Sequence, residues 1–226
     1  MKNLFDVSGK VAVVTGGSRG IGAMIAKGFV ENGVKTYITA RKQEELMATA
    51  EELSALGECI AMPSNLGTLE GVEAFAQAIR EREEKLHILV NNAGASWGAP
   101  LAEFPENGWD KVMDLNVKSL FFLTKELCSS MQNAGTAEDP ARVINIGSIN
   151  GITHPHMENY SYSASKAAVH HLTRHLGADL APKHINVNAI APGYFPSKMT
   201  AHLAEFEEDI GNSFPIHRVG SPQDAA

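Results

Sequence analysis

The chain has 226 residues, 44% of them hydrophobic and 20% charged, with a formal net charge of −7 at pH 7. That length and composition suit one domain with a sizeable core, and the dispersed acidic charge offers no basic stripe for nucleic acid. No apolar run approaches the ~20 residues that span a membrane, and residues 1–8 lack the apolar centre of a secretion signal.

Lys10-Val11-Ala12-Val13-Val14 is rich in β-branched residues and reads as a short buried strand. It runs into Thr15-Gly16-Gly17-Ser18-Arg19-Gly20-Ile21-Gly22, then into a helical pattern carrying Ile25, Ala26, Phe29 and Val30. A glycine-rich turn from strand to helix lets backbone N–H groups approach a pyrophosphate at the positive end of the helix dipole. The spacing is T-G-x-x-x-G-x-G, one residue longer between its first two glycines than G-x-G-x-x-G.

Residues 34–40 read as a second strand. It ends Thr39-Ala40-Arg41, without the carboxylate that binds a ribose 2′-hydroxyl in NAD sites. Arg19 and Arg41 supply two guanidiniums that can grip a 2′-phosphate through forked hydrogen bonds, so NADP(H) is expected over NAD(H). A helix over 43–56, a short strand over 59–62 and an amphipathic helix over 70–84 follow. Cys59 and Cys128 stand far apart without metal-ligand spacing, which predicts reduced thiols, a cytoplasmic protein and no metal.

Ile88-Leu89-Val90 is a buried strand, and a long helix is expected from about residue 108 to 131. Residues 133–140 are polar and turn-rich, and strands over 143–146 and 185–190 flank a further helix. Strict alternation predicts an α/β fold: a Rossmann-type doubly wound parallel sheet, one domain over 1–226, with ligands at the carboxyl ends of the strands.

The helix between the last two strands carries Tyr162 and Lys166, with Ser148 fourteen residues upstream of the tyrosine. Positions i and i+4 share a helix face. A nearby ammonium favours the phenolate and pulls a tyrosine down from its usual ~10 towards neutrality. Ser148 is placed to hold a carbonyl oxygen before the phenol, so the set is equipped for proton transfer to oxygen. Tyr160 has Ala164, not lysine, four residues on and is set aside.

In order along the chain, the glycine turn, Asn91-Asn92-Ala93-Gly94, Asn116, Ser148, Tyr162 with Lys166, and Pro192-Gly193 resemble the short-chain dehydrogenase/reductase family. Ser96-Trp97-Gly98 and residues 142–148 are most similar to NADPH-dependent β-ketoacyl reductases of the rhamnolipid-pathway type. The resemblance implies that Tyr162 is the general acid and that Lys166 lowers its pKa and bonds the nicotinamide ribose. It further implies that Ser148 orients the substrate carbonyl and that Asn116 supports a water relay to Lys166. For the cofactor it implies Gly16, Ser18, Arg19, Gly20, Ile21 and Gly22 at the turn, then Arg41, Asn65 and Leu66. Asn91, Ala93, Gly94, Tyr162, Lys166, Pro192, Gly193, Phe195 and Ser197 complete that set. Asn65 stands where the family often has an aspartate that contacts adenine, and its side-chain oxygen can still accept from the adenine amino group.

A lid over roughly residues 193–217 is implied after Pro192-Gly193. Phe195, Met199, Leu203, Phe206, Ile210 and Phe214 recur at steps of three and four, which predicts one apolar stripe. That stripe suits either core packing or cover for an acyl chain, and Trp97 either walls the substrate or packs its loop. His170, His171, Arg174 and His175 are read as an exposed face. The implied activity is reduction of a carbonyl, as in a 3-oxoacyl thioester or similar apolar ketone. A non-catalytic NADP(H) sensor or interaction protein, or a dehydrogenase of an unrelated secondary alcohol, is the alternative. Gly220-Ser221-Pro222 begins a helix, and the family pattern expects that helix and a last strand to continue beyond Ala226, with a dimer or homotetramer when they are present.

Overall fold

Alternation of side chains along each strand divides the interior into two layers. The computed structural model describes residues 5–155, 157–198 and 200–226. Its strands are β1 (Val11–Thr15), β2 (Lys35–Thr39), β3 (Cys59–Ala61), β4 (Ile88–Asn91), β5 (Ala141–Ile146) and β6 (Ile185–Ile190). All pair in parallel in the order β3-β2-β1-β4-β5-β6, so the chain starts at the middle of the sheet and winds outwards twice. The crevice of such a sheet opens where the winding reverses, beyond the carboxyl ends of β1 and β4.

Val13, Tyr37, Leu89 and Val143 point to one face, and Ala12, Val14, Ile38, Ile88 and Val90 to the other. Helices α1 (Gly20–Glu31) and α2 (Gln43–Ser54) cover the second face with Ile25, Ala26, Val30, Leu46 and Leu53. Helix α3 (Leu69–Arg80), the helix pair α4 (Glu106–Met113) and α5 (Ser119–Ala134), and α6 (Tyr160–Leu180) lie along the first. Leu123, Leu127 and Met131 of α5 are almost wholly buried there, each worth ~1.5–3 kcal/mol of apolar transfer.

Two expectations are corrected. The helix expected over 108–131 is α4 and α5 joined by a π-helical turn, Asp114–Lys118. The wide turn lets buried Asn116 spend its side chain on a neighbouring loop, a local departure typical of functional sites. The stripe from Phe195 to Phe214 is not one helix either. Met199 lies outside the described residues, Ala201–Phe206 is a 3₁₀ segment, and only α7 (Glu207–Ser213) is α-helical. At three residues per turn a 3/4 stripe drifts around the axis, and Phe206 ends up exposed. Phe195 instead rests on Gly220, and Phe214 lies against Gly193. The short helix α8 (Pro222–Ala225) packs on α1, with Ala226 against Gly28.

Candidate active site

The turn after β1 is shaped by contacts only glycine permits. Gly16 has φ +67°, a left-handed conformation, and a Cβ on Gly22 would strike the Gly16 carbonyl oxygen and Asn92 Nδ2. Arg19, the residue before α1, is extended and gives no side-chain cap, and the first turn of α1 carries no acid. Among the described residues no side chain caps the N–H groups that open α1, which leaves donors at a positive helix end, a cradle for a phosphate anion.

Thr15 ties this turn to the loop after β4. Its Oγ1 donates to Val90 O at 3.2 Å and accepts from Asn92 N and Ala93 N, both at 2.9 Å. Asn92 Nδ2 returns a bond to Thr15 O at 2.8 Å. Beneath the site runs a buried polar chain. Asn91 Nδ2 donates to Thr124 Oγ1 (3.1 Å) and Asn145 Oδ1 (2.9 Å), while Asn145 Nδ2 donates to Thr173 Oγ1 (2.9 Å). These bonds pin α5 and α6 to the ends of β4 and β5, so Asn91 supports the site rather than lining it.

Tyr162, Lys166 and Ser148 come together as the spacing predicts. Ser148 precedes a single 3₁₀ turn, Ile149–Gly151, and its Oγ accepts from Asn150 N at 3.1 Å. Two glycines press this turn onto α6. A Cβ on Gly147 would enter the His170 ring, and one on Gly151 would enter the backbone of Lys166 and Ala167. His170 Nε2 lies 3.0 Å from Ser148 O, an acceptor that also takes Gly151 N at 3.0 Å. His170, expected on an exposed face, is half-buried under the serine, whereas His171, Arg174 and His175 are exposed. Its signal was present in the spacing, since it follows Lys166 by four and Tyr162 by eight.

The electrostatics depart from the expectation for Tyr162. Burial raises its pKa above the usual value, and a hydrogen bond with Ser148 only partly offsets this. Lys166 Nζ lies 5.6 Å from the Tyr162 ring centre and donates to Ile146 O at 2.6 Å rather than to the phenol. Desolvation brings Lys166 down to about 8. Both groups are thus driven towards their neutral forms.

Asn116 stands behind this set. Its Oδ1 accepts from Ala95 N at 2.8 Å, and its Nδ2 donates to Ala95 O (3.0 Å) and Ser165 Oγ (2.9 Å). Ser165 Oγ in turn donates to the backbone carbonyl of Tyr162 at 2.7 Å. Asn116 therefore fixes both the loop after Gly94 and the first turns of α6.

A single cleft of about 630 Å³ joins the cradle to the tyrosine, a volume within the usual range for cofactor sites. It is lined by Gly16, Ser18, Arg19, Gly20 and Ile21, by Arg41 and Leu66, and by Ala93 and Gly94. Ser148, Tyr162, Lys166, Pro192, Gly193, Phe195 and Ser197 line its other end. Gly22, Asn65, Asn91 and Asn116 do not line it. Asn65 is exposed, and its Oδ1 closes a local turn onto Gly67 N at 3.2 Å. Lys42, Glu45, Lys111 and Lys198 also line the cleft and were not anticipated. Trp97 packs its loop: its ring covers Gly108 and takes Lys111 Nζ at 5.0 Å. Tyr160, the tyrosine set aside, stacks edge-on against Phe104 outside the cleft.

Residues 10–208 match the short chain dehydrogenase family. The chain belongs to that family. It is 48% identical to the rhamnolipids biosynthesis 3-oxoacyl-[acyl-carrier-protein] reductase of Pseudomonas aeruginosa, over 100% of this chain and 90% of that protein. It is 35% identical to the 2-dehydro-3-deoxy-D-gluconate 5-dehydrogenase of Dickeya dadantii, over 98% and 87%. Among solved structures it is similar to the Pseudomonas aeruginosa RhlG/NADP active-site complex, with a TM-score of 0.95 and 47% identity over 100% of this chain and 89% of that one. As a short-chain dehydrogenase, the protein shares its scaffold with enzymes named for quite different substrates. No helix among the described residues is long and apolar enough to cross a membrane.

Proposed function

We propose that the protein is an NADPH-dependent reductase that converts the carbonyl of a 3-oxoacyl thioester, or a similar apolar ketone, to a secondary alcohol. The observation that carries this reading is one cleft holding both a phosphate cradle at α1 and the Ser148–Tyr162–Lys166 set. The glycine cradle fits a dinucleotide pyrophosphate, because a side chain at Gly22 would fill the space the backbone needs. Arg41, Lys42 and Lys198 bring cations to the end of β2, where a 2′-phosphate belongs. When bound, the reduced nicotinamide supplies the hydride.

The residues of this chain do the rest. Ser148 offers a hydroxyl to the substrate oxygen and stabilises charge as it develops there. Tyr162 keeps its proton at neutral pH, because burial raises its pKa, and so stands ready to protonate that oxygen as the hydride arrives at carbon. Lys166, brought down to about 8 by burial and 5.6 Å from the Tyr162 ring centre, is the group that returns a proton to the phenol. The thioester preference is supported by the 48% identity to a 3-oxoacyl reductase along the whole chain. A cytoplasmic homo-oligomer, dimer or tetramer, is part of the same reading. The oligomer is supported by an aromatic cluster in which exposed Trp109 of α4 and Tyr160 of α6 pack edge-on against half-buried Phe104 in the loop before α4.

The test is NADPH consumption, followed by absorbance, with a 3-oxoacyl thioester and a panel of ketones and sugar acids. Tyr162→Phe should lower turnover by about 10²–10⁴-fold and leave NADPH binding intact. NADPH binding without turnover on any of the panel would overturn the enzymatic reading.

A further inference from the structure

One cation of the phosphate subsite, Arg19, already holds an anion. Arg19 Nη1 lies 3.1 Å from Glu45 Oε1 and 2.9 Å from Glu45 Oε2, so one guanidinium nitrogen meets both carboxylate oxygens. Glu45 sits in the first turn of α2 and lines the same cleft as Arg19, Arg41, Lys42 and Lys198. Its carboxyl is held below the usual range by the Arg19 hydrogen bond first, which outweighs burial, with the charges of Arg19, Lys198 and Lys42 adding to it. Arg41 makes no ion pair among the described residues.

We propose that Glu45 is a specificity-determining residue: an internal counter-anion that occupies Arg19 in place of the 2′-phosphate and lowers the protein's preference for NADPH over NADH. The inference rests on the NADP(H) reading above and goes beyond it, since it assigns an opposing role to a residue within the phosphate subsite.

The physical argument has two parts. A phosphate entering between Arg19 and Arg41 must take donors from the carboxylate, and an exposed ion pair of this type is worth a factor of up to about five. The displaced carboxylate remains on a helix that faces the phosphate. A doubly charged phosphate and a carboxylate ~6 Å apart in water repel by about one factor of ten before salt screening. NADH carries a hydroxyl at that position and feels neither effect strongly. The carboxylate therefore tells against one cofactor and is nearly silent towards the other.

The experiment measures dissociation constants for NADPH and NADH by the fluorescence of the reduced nicotinamide, and for 2′,5′-ADP by calorimetry. Wild type, Glu45→Gln and Glu45→Ala are compared at low and high salt. Both substitutions should tighten NADPH and 2′,5′-ADP by about tenfold at low salt and by less at high salt, with NADH changed by about twofold or less. Unchanged or weakened NADPH binding in both variants, with wild type still preferring NADPH, overturns the role of Glu45 alone. Equal tightening of NADH and NADPH also overturns it, because the carboxylate would then act on something other than the 2′-phosphate. Wild-type protein that binds the two cofactors equally would sink the NADP(H) reading itself, and this inference with it.

Discussion

Replacing Lys166 by methionine should make the cofactor-free protein more stable while destroying its activity. Lys166 is 5% exposed, and burial lowers its pKa from 10.5 to about 8. The folded protein thus holds this proton less tightly than the unfolded chain. A difference of ~2.5 at ~1.4 kcal/mol each corresponds to about 3 kcal/mol of destabilisation. Below pH 8 the amine is charged in both states and the whole penalty is present. Between pH 8 and about 10.5 the unfolded chain binds more protons, so stability from this group rises with pH. Methionine has similar length and no charge, but it gives up the 2.6 Å bond to Ile146 O, which is worth ~1–2 kcal/mol. The net gain at pH 7 is then about 1–2 kcal/mol, or ~2–8 °C in melting temperature for a chain of this size. Thermal unfolding of both proteins without cofactor, followed by circular dichroism from pH 6 to 10, measures it. The advantage of the variant should be largest below pH 8 and shrink above it. A variant that melts lower at pH 7, or a difference that does not change with pH, would refute the reasoning.

The remaining predictions concern groups that shape the site. His170→Ala should reduce kcat about fivefold, the value of one net hydrogen bond, through a loosened Ser148 turn, while the Kd for NADPH holds. His170→Gln, which keeps a donor, should recover part of that loss, whereas unchanged kcat in the alanine variant would leave the histidine with a packing role only. Gly22→Ala forces a Cβ into Gly16 O and Asn92 Nδ2, so it should cost ~1–3 kcal/mol in denaturant titration and weaken NADPH binding more than tenfold. Normal cofactor binding by that variant would contradict the account of the cradle.

Periodicity carried most of the fold, because the strands are short and most carry buried β-branched or aliphatic residues. The expected strand 34–40 and the observed Lys35–Thr39 differ only at the frayed ends. Where pattern failed, a tertiary bond had displaced a local preference. Asn116 leaves the α-helical ladder to serve Ala95 and Ser165, and no hydropathy pattern records that exchange. Asn65 and Asn91 were assigned by motif position. Asn65 Oδ1 accepts within its own loop, and Asn91 Nδ2 donates into the polar chain beneath the cleft. Lys166 was legible from its spacing to Tyr162, but the direction of the tyrosine shift was not, because burial outweighs the Ser148 hydrogen bond and the ammonium turns to Ile146 O. Glu45 was invisible in the sequence, where it is one acid among several on an exposed helix.

The π-helical turn at Asp114–Lys118 has a consequence for how this helix tolerates changes of length. Gly108, Val112, Asn116, Leu120 and Thr124 are all buried, at intervals of four residues. In an unbroken α-helix each interval overshoots a full turn by about 40°, so the fifth position would face far from the first. A wider turn winds back part of that excess. An added or lost residue in an ordinary helix rotates everything downstream by ~100°. Here the turn acts as a buffer in the thread of the helix: α4 and α5 can each keep their own side turned inwards. Deleting one residue from it would restore a regular helix and turn Asn116 away from Ser165, detaching the helix pair from the machinery on α6.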